Sequence, residues 1–296
     1  MTTRLVLLIL LLSAHWINAH AEESVQTQIA VGAAVSDVKL KRAINLLSQT
    51  TAGAEELKAA QSLGIPIEAG TVSKTDITAT HTAKDGVDDF HFVAKVTIAA
   101  DKEPVFQALD LAHELIHATH AKSNPFDPNL NAATYVKHGI EGEGGEANAI
   151  AEECAVGKEL SEKASSSGLN TDTLQLIKAR CQFVWNTADN QTAWKKSFYF
   201  VGQYYREFMK SVLSLNESES AKSEWRHQIE AKSPVFSSAV AHKPYPLALL
   251  EEYVEITHKV CDRARSAILG RNVASAVSET SPLKERCSAI GMELSP

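Results

Sequence analysis

Aromatic residues are scarce, at 6% of 296 positions. So thin a supply argues against a base-stacking surface or an aromatic cage for sugars. Positive charge is not in excess either: 29 Lys and Arg stand against 36 Asp and Glu, for a net charge of -7. An acidic chain with scattered basic residues is a poor tracker of phosphates, so nucleic acid is not expected as a partner. No second long apolar run follows the first 21 residues, so nothing after them is expected to span a bilayer. The four cysteines show no CxxC spacing, which speaks against a cysteine zinc site. There is no internal repeat. What remains is ordinary for a globular protein, 44% hydrophobic and 22% charged, and long enough for one large or two ordinary domains.

Residues 1–21 read as a signal peptide. Arg4 supplies the positive start, Leu5 to Leu12 an apolar run too short to cross a bilayer, and Ala19-His20-Ala21 a small-x-small cleavage pattern. The mature chain is therefore expected to be secreted or periplasmic, with no membrane attachment after cleavage. Export permits disulfides. Cys154, Cys181, Cys261 and Cys287 allow three pairings, and the sequential one, Cys154–Cys181 with Cys261–Cys287, is preferred.

The hydrophobic period predicts helices over 37–48 and 53–63, the second closed by Gly64 and Pro66. Residues 77–98 alternate around Asp85-Gly86 and read as a β-hairpin. Phe90, Phe92, Ala94, Val96 and Ile98 would share its buried face. A helix over 104–121 follows, with Asp101 as its expected N-cap and Pro104 in its first turn. Residues 122–145 read as loop, 146–163 as a strong helix and 165–168 as a linker. Further helices are expected over 172–187, 192–214, 246–268 and 282–289, with 215–244 irregular. The aromatic stretch from Trp194 to Phe208 reads as a core helix. Asn190-Gln191-Thr192 and Asn216-Glu217-Ser218 match the glycosylation acceptor.

The informative motif is His113-Glu114-Leu115-Ile116-His117. Histidines four apart share one helix face, so both imidazoles can reach one Zn²⁺. Glu114 is offset from that face, placed to take a proton from a metal-bound water rather than to bind the metal. A helix this apolar needs its polar side chains satisfied, and a metal does that. The metzincin pattern HExxHxxGxxH fails, because His120 stands at the glycine position and Ser123 at the last histidine. A third ligand is sought in the acidic start of the next strong helix. Glu146 is the first choice there, followed by Glu143, with Glu141, Glu152 and Glu153 behind them. His120 reads as a neighbour of the site or a solvent-facing residue. Asp110 could orient a ligand, but reads first as a solvated helix residue. Tyr135, His138, His242 and Tyr245 are candidates by type for steadying an oxyanion.

HELIH at 113–117 with Glu-x-x-Ala at 146–149 resembles the gluzincin-type HExxH zinc metallopeptidases. The order of two short helices, a strand and the HExxH helix is closer to small bacterial effector-type zincin proteases than to thermolysin-like enzymes. The resemblance covers roughly 40–163 and lacks the thermolysin-like Asn-Glu-x-x-x-Asp. It implies a zincin fold, one catalytic zinc on His113, His117 and Glu146, Glu114 as general base, and hydrolysis of a protein or peptide substrate. The strand at 89–98 would pair with an extended peptide.

The expected fold class is thus α+β and predominantly helical. A zincin-like core with a small β-hairpin occupies 22–165, and an α-helical region occupies 166–296. The competing expectation is a non-catalytic exported helical binding protein with a structural zinc or no metal.

Overall fold

The structure, a computed structural model, describes residues 37–84, 87–120, 127, 130–163, 168–187, 191–215, 223, 225, 236–238, 242–271 and 282–294. The leader at 1–21, the Asp85-Gly86 turn, residues 165–167, Asn190 and Asn216 lie outside them.

The fold is mostly helical with a small mixed sheet. In chain order the main elements are α1 (Val38–Ser48), α2 (Thr51–Ser62), β1 (Ile67–Gly70), β2 (Lys74–Lys84), β3 (Val87–Ala99), α3 (Pro104–Thr119), α4 (Ala132–Glu141), α5 (Glu146–Glu162) and α6 (Thr171–Thr187). There follow α7 (Gln191–Lys196), a 3-10 turn at Gly202–Tyr204, α8 (Tyr205–Ser214), the two-residue strands β4 (Ser237–Ser238) and β5 (Lys243–Pro244), α9 (Tyr245–Arg271) and α10 (Pro282–Ala289). Contacts divide the chain into two compact units, 1–120 with 149–182, and 121–148 with 183–296. The divisions fall inside α5 and α6, so both helices run unbroken through them.

In the first unit, local chemistry starts each helix. The Asp37 carboxylate accepts from the Leu40 amide at 2.8 Å, and the Thr50 hydroxyl accepts from Gly53 at 3.1 Å. α3 begins differently from expectation. Pro104 takes the first helical position and forces extended backbone on Glu103, which becomes the N-cap without a side-chain bond. Asp101 lies in the turn before it and does not cap the helix. α1 packs on α3, and Leu40, Ile44 and Leu47 of α1 and Ala108, Leu111, Ala112 and Leu115 of α3 are fully buried. Each such leucine contributes roughly 1.5–3 kcal/mol on burial.

The sheet has the order β1-β3-β2, with β1 parallel and β2 antiparallel to β3. The hairpin stands as expected, in the register Ile77↔Ala94, but β1 was not anticipated. β1 pairs with Val96–Ala99, so among the described residues the sheet is three strands wide there and a two-stranded ribbon beyond. That width decides burial. Val96, Thr97, Ile98 and Ala99 are buried, whereas Phe92 and Val93 are 45% and 57% exposed. On the expected apolar face Val96 and Ile98 are buried, whereas Phe92 is exposed.

In the second unit, α4 occupies a stretch read as loop. Asn131 caps it, accepting from the Thr134 amide at 2.9 Å. Its buried stripe is Ala132, Val136 and Ile140. α4 packs on α9, where Gly139 lies so close to Leu249 that a Cβ would sit 2.8 Å from it. Trp194, Phe198 and Phe208 are core residues as expected, but 192–214 is not one helix. It breaks after Lys196, and Gly202 adopts φ +47 where the 3-10 turn begins. Phe198, Phe236 and Trp194 form the centre of an aromatic cluster, with Phe198 stacked on Phe236 at 4.8 Å.

Cysteines pair in sequence order, Cys154–Cys181 and Cys261–Cys287, with no free thiol. Two disulfides fit an oxidising, extracytoplasmic setting. Among the described residues, no helix is long and apolar enough to cross a membrane.

Candidate metal centre

The α3 helix brings its two histidines together as the four-residue spacing requires. The His113 and His117 rings are 4.9 Å apart and nearly perpendicular, and their Nε2 atoms face one another at 3.2 Å. Ligand nitrogens on a tetrahedral zinc, with bonds of 2.0–2.1 Å, stand about 3.3 Å apart. The pair therefore already has the spacing of one edge of such a site. Glu146, in the first turn of α5, completes it: ligand atoms of His113, His117 and Glu146 all lie within 4.8 Å of one another. Two imidazoles and a carboxylate are a normal donor set for zinc with one position left open. The residues present fit the metal.

Tight packing sets where α5 begins. Gly142 and Gly145 bracket the turn between α4 and α5. A Cβ on Gly145 would lie 2.8 Å from the carbonyl of Ile140, and one on Gly142 would lie 2.5 Å from the His138 oxygen. Asn148 ties the same turn by donating to the Gly142 carbonyl at 3.0 Å. Further along α5, Gly157 lets the helix approach α3 and α6, with Ile177 and Leu109 at 3.0 and 3.5 Å from the position of an added Cβ.

Glu114 is buried and turned toward the sheet. The Thr75 hydroxyl of β2 lies 2.8 Å from both its carboxylate and its backbone carbonyl, donating its one proton between them. A strand residue thus fixes the carboxylate of the residue that follows His113.

Beneath the histidines lies a charge network the sequence did not disclose, two buried carboxylates bridged by a partly exposed arginine. A Glu153 carboxylate oxygen stands 3.3 Å from His113 Nδ1, on the ring edge opposite Nε2. The other oxygen accepts from Arg180 Nε. The Arg180 guanidinium also donates to Asp110 at 2.9 Å, and Asp110 accepts from Ser73 and Lys102 as well. Asp110 is 3% exposed, so it is not the solvated residue expected. Burial works to raise its pKa. The Arg180 charge, with the Lys102 and Ser73 bonds, outweighs that and holds the carboxyl below its ordinary value. Burial likewise opposes the Arg180 charge, but Glu153 and Asp110 overcome it and raise its pKa. Glu153, one of the lesser candidates for a ligand, therefore reaches His113 from behind.

The other candidates lie elsewhere. Glu152 faces Glu56, Glu55 and Glu159, and burial followed by those charges raises its pKa. Glu141 accepts from the Tyr199 hydroxyl, and Glu143 is exposed in the α4–α5 turn. His120 closes α3, its Nδ1 lying 3.0 Å from the Thr119 hydroxyl and 3.2 Å from the Ile116 carbonyl. Tyr135 packs against Tyr253, and burial, then Glu252, raises its pKa. His138 lies in the last turn of α4, His242 has φ 53 ahead of β5, and Tyr245 packs on Phe198. A second grouping, Glu153 with Cys154 and Cys181, offers no thiolate because both sulfurs are in the disulfide.

No family model, no curated protein and no solved structure matches the chain.

Proposed function

We propose that this chain is an exported zinc-dependent metallopeptidase with a zincin-like core. The observation that carries the reading is the convergence of ligand atoms of His113, His117 and Glu146, with the carboxylate of Glu114, next to His113 in sequence, held by Thr75. The leader-like residues 1–21 and the two disulfides support export.

His113, His117 and Glu146 would hold the metal. Zinc bound there polarises a substrate carbonyl and makes water a nucleophile near neutral pH. Glu114 takes the proton from the attacking water and delivers it to the leaving amine nitrogen. Thr75 keeps the Glu114 carboxylate in one orientation, so its basic oxygen is positioned before substrate arrives. The substrate is an extended peptide. Among the described residues, β3 between Val87 and Lys95 is paired only with β2, which leaves one edge for a third strand.

Glu114→Gln tests the assignment. It retains the fold and zinc binding, and lowers kcat/KM on a peptide substrate by about 10²–10⁴-fold, the usual range for a lost general base. Unchanged hydrolysis in Glu114→Gln would sink the mechanism. Tight zinc binding without cleavage of any member of a broad peptide library would favour the non-catalytic binding protein instead.

A further inference from the structure

Both ends of the Cys154–Cys181 disulfide are next in sequence to the network behind His113. Glu153 precedes Cys154 on α5, and Arg180 precedes Cys181 on α6. The covalent link and the ion pair thus join the same two helices side by side. Glu153 is 4% exposed, and its two oxygens divide between His113 Nδ1 and Arg180 Nε. Asp110 holds the far side of the guanidinium from α3, the helix that carries the histidines.

We propose that Glu153 is the positioning residue for His113, and that the Cys154–Cys181 disulfide acts through it to set the metal affinity of the site. The Glu153 oxygen 3.3 Å from Nδ1 draws the ring proton to that nitrogen and leaves the lone pair on Nε2, the atom facing His117. It also fixes the ring's rotation. Arg180 holds the carboxylate in place. The disulfide keeps α6 beside α5, so Arg180 cannot drift from Glu153. Cutting the crosslink therefore loosens the ring without removing any ligand. This inference rests on the metal site proposed above.

The test is the zinc dissociation constant of the full mature chain, measured by competition with a chromophoric chelator. Glu153→Gln keeps the side chain's shape and removes its charge; affinity falls about 10–100-fold. The pair Cys154→Ser with Cys181→Ser weakens binding in the same direction. Added to Glu153→Gln, it weakens binding little further, because the two act along one path. The pair Cys261→Ser with Cys287→Ser, which opens the other disulfide, leaves the constant unchanged. That control separates positioning from general loss of stability, and circular dichroism verifies that each variant is folded. Zinc binding by wild type with an unaltered constant in Glu153→Gln, or in the Cys154/Cys181 pair, overturns the inference alone. Equal weakening by both disulfide pairs overturns it too. A wild-type chain that binds no zinc refutes the metal site itself.

Discussion

Replacing Arg180 by Met leaves two buried carboxylates, Asp110 and Glu153, without their shared cation. Their side chains are 4% and 5% exposed, so water does little to compensate. Breaking a buried ion pair by removing one partner costs about 3–5 kcal/mol. Arg180 is 34% exposed at its side chain, and Lys102 still reaches Asp110, so the lower end applies, about 3 kcal/mol. The loss is read by urea titration with amide exchange in α3, which reports the first unit. The pH dependence adds a second constraint. A carboxylate depressed in the folded state contributes stability that is fully present above its unfolded pKa, about 3.9 for Asp. That stability is lost as pH falls through the folded value. Asp110 is such a group, so the gap between wild type and Arg180→Met is widest near neutrality and narrows below about pH 4. A gap under about 1 kcal/mol at pH 7, or one that widens on acidification, refutes the reasoning.

Two more outcomes follow from packing. Gly145→Ala forces a Cβ onto the Ile140 carbonyl and displaces the turn that sets Glu146, so zinc affinity falls by about tenfold or more while the α3 histidines stay paired; chelator competition measures it. Opening Cys261–Cys287, which spans 26 residues, destabilises the second unit by about 3.5 kcal/mol in chain-entropy terms, seen as a lower urea midpoint for amides of α9.

Much of the site was legible because its parts are local. Histidines at a four-residue spacing need only a helix to converge, and the apolar period around them specifies one. Glu146 was accessible by the same route, as a carboxylate at the start of the next strong helix. The Glu153–Arg180–Asp110 network was not, since its members are brought together by helices α3, α5 and α6 and nothing local marks the match. The 16-residue α3 and 17-residue α5 were readable from their apolar periodicity, whereas the four-residue β1 is too short to carry a period. α4 was missed for a different reason. The prolines before it and the glycines after it dominate the reading, yet Asn131 followed by Ala132, Val136 and Ile140 is a cap with a helical stripe. The stretch of β3 before Val96 alternates as a buried strand should, but burial depends on β1, and β1 begins only at Ile67, opposite Val96.

Both disulfides join each cysteine to the next one along the chain, and each closes within one compact unit. Cysteines oxidised in the order in which they emerge during synthesis would thus find their native partners at first encounter. Neither loop encloses the other, so no bond must reopen for the second to form, and oxidative folding is spared the slow exchange that interleaved pairings require. The chain carries its covalent reinforcement as two separate rings in series, and either ring can be opened while the other stays shut.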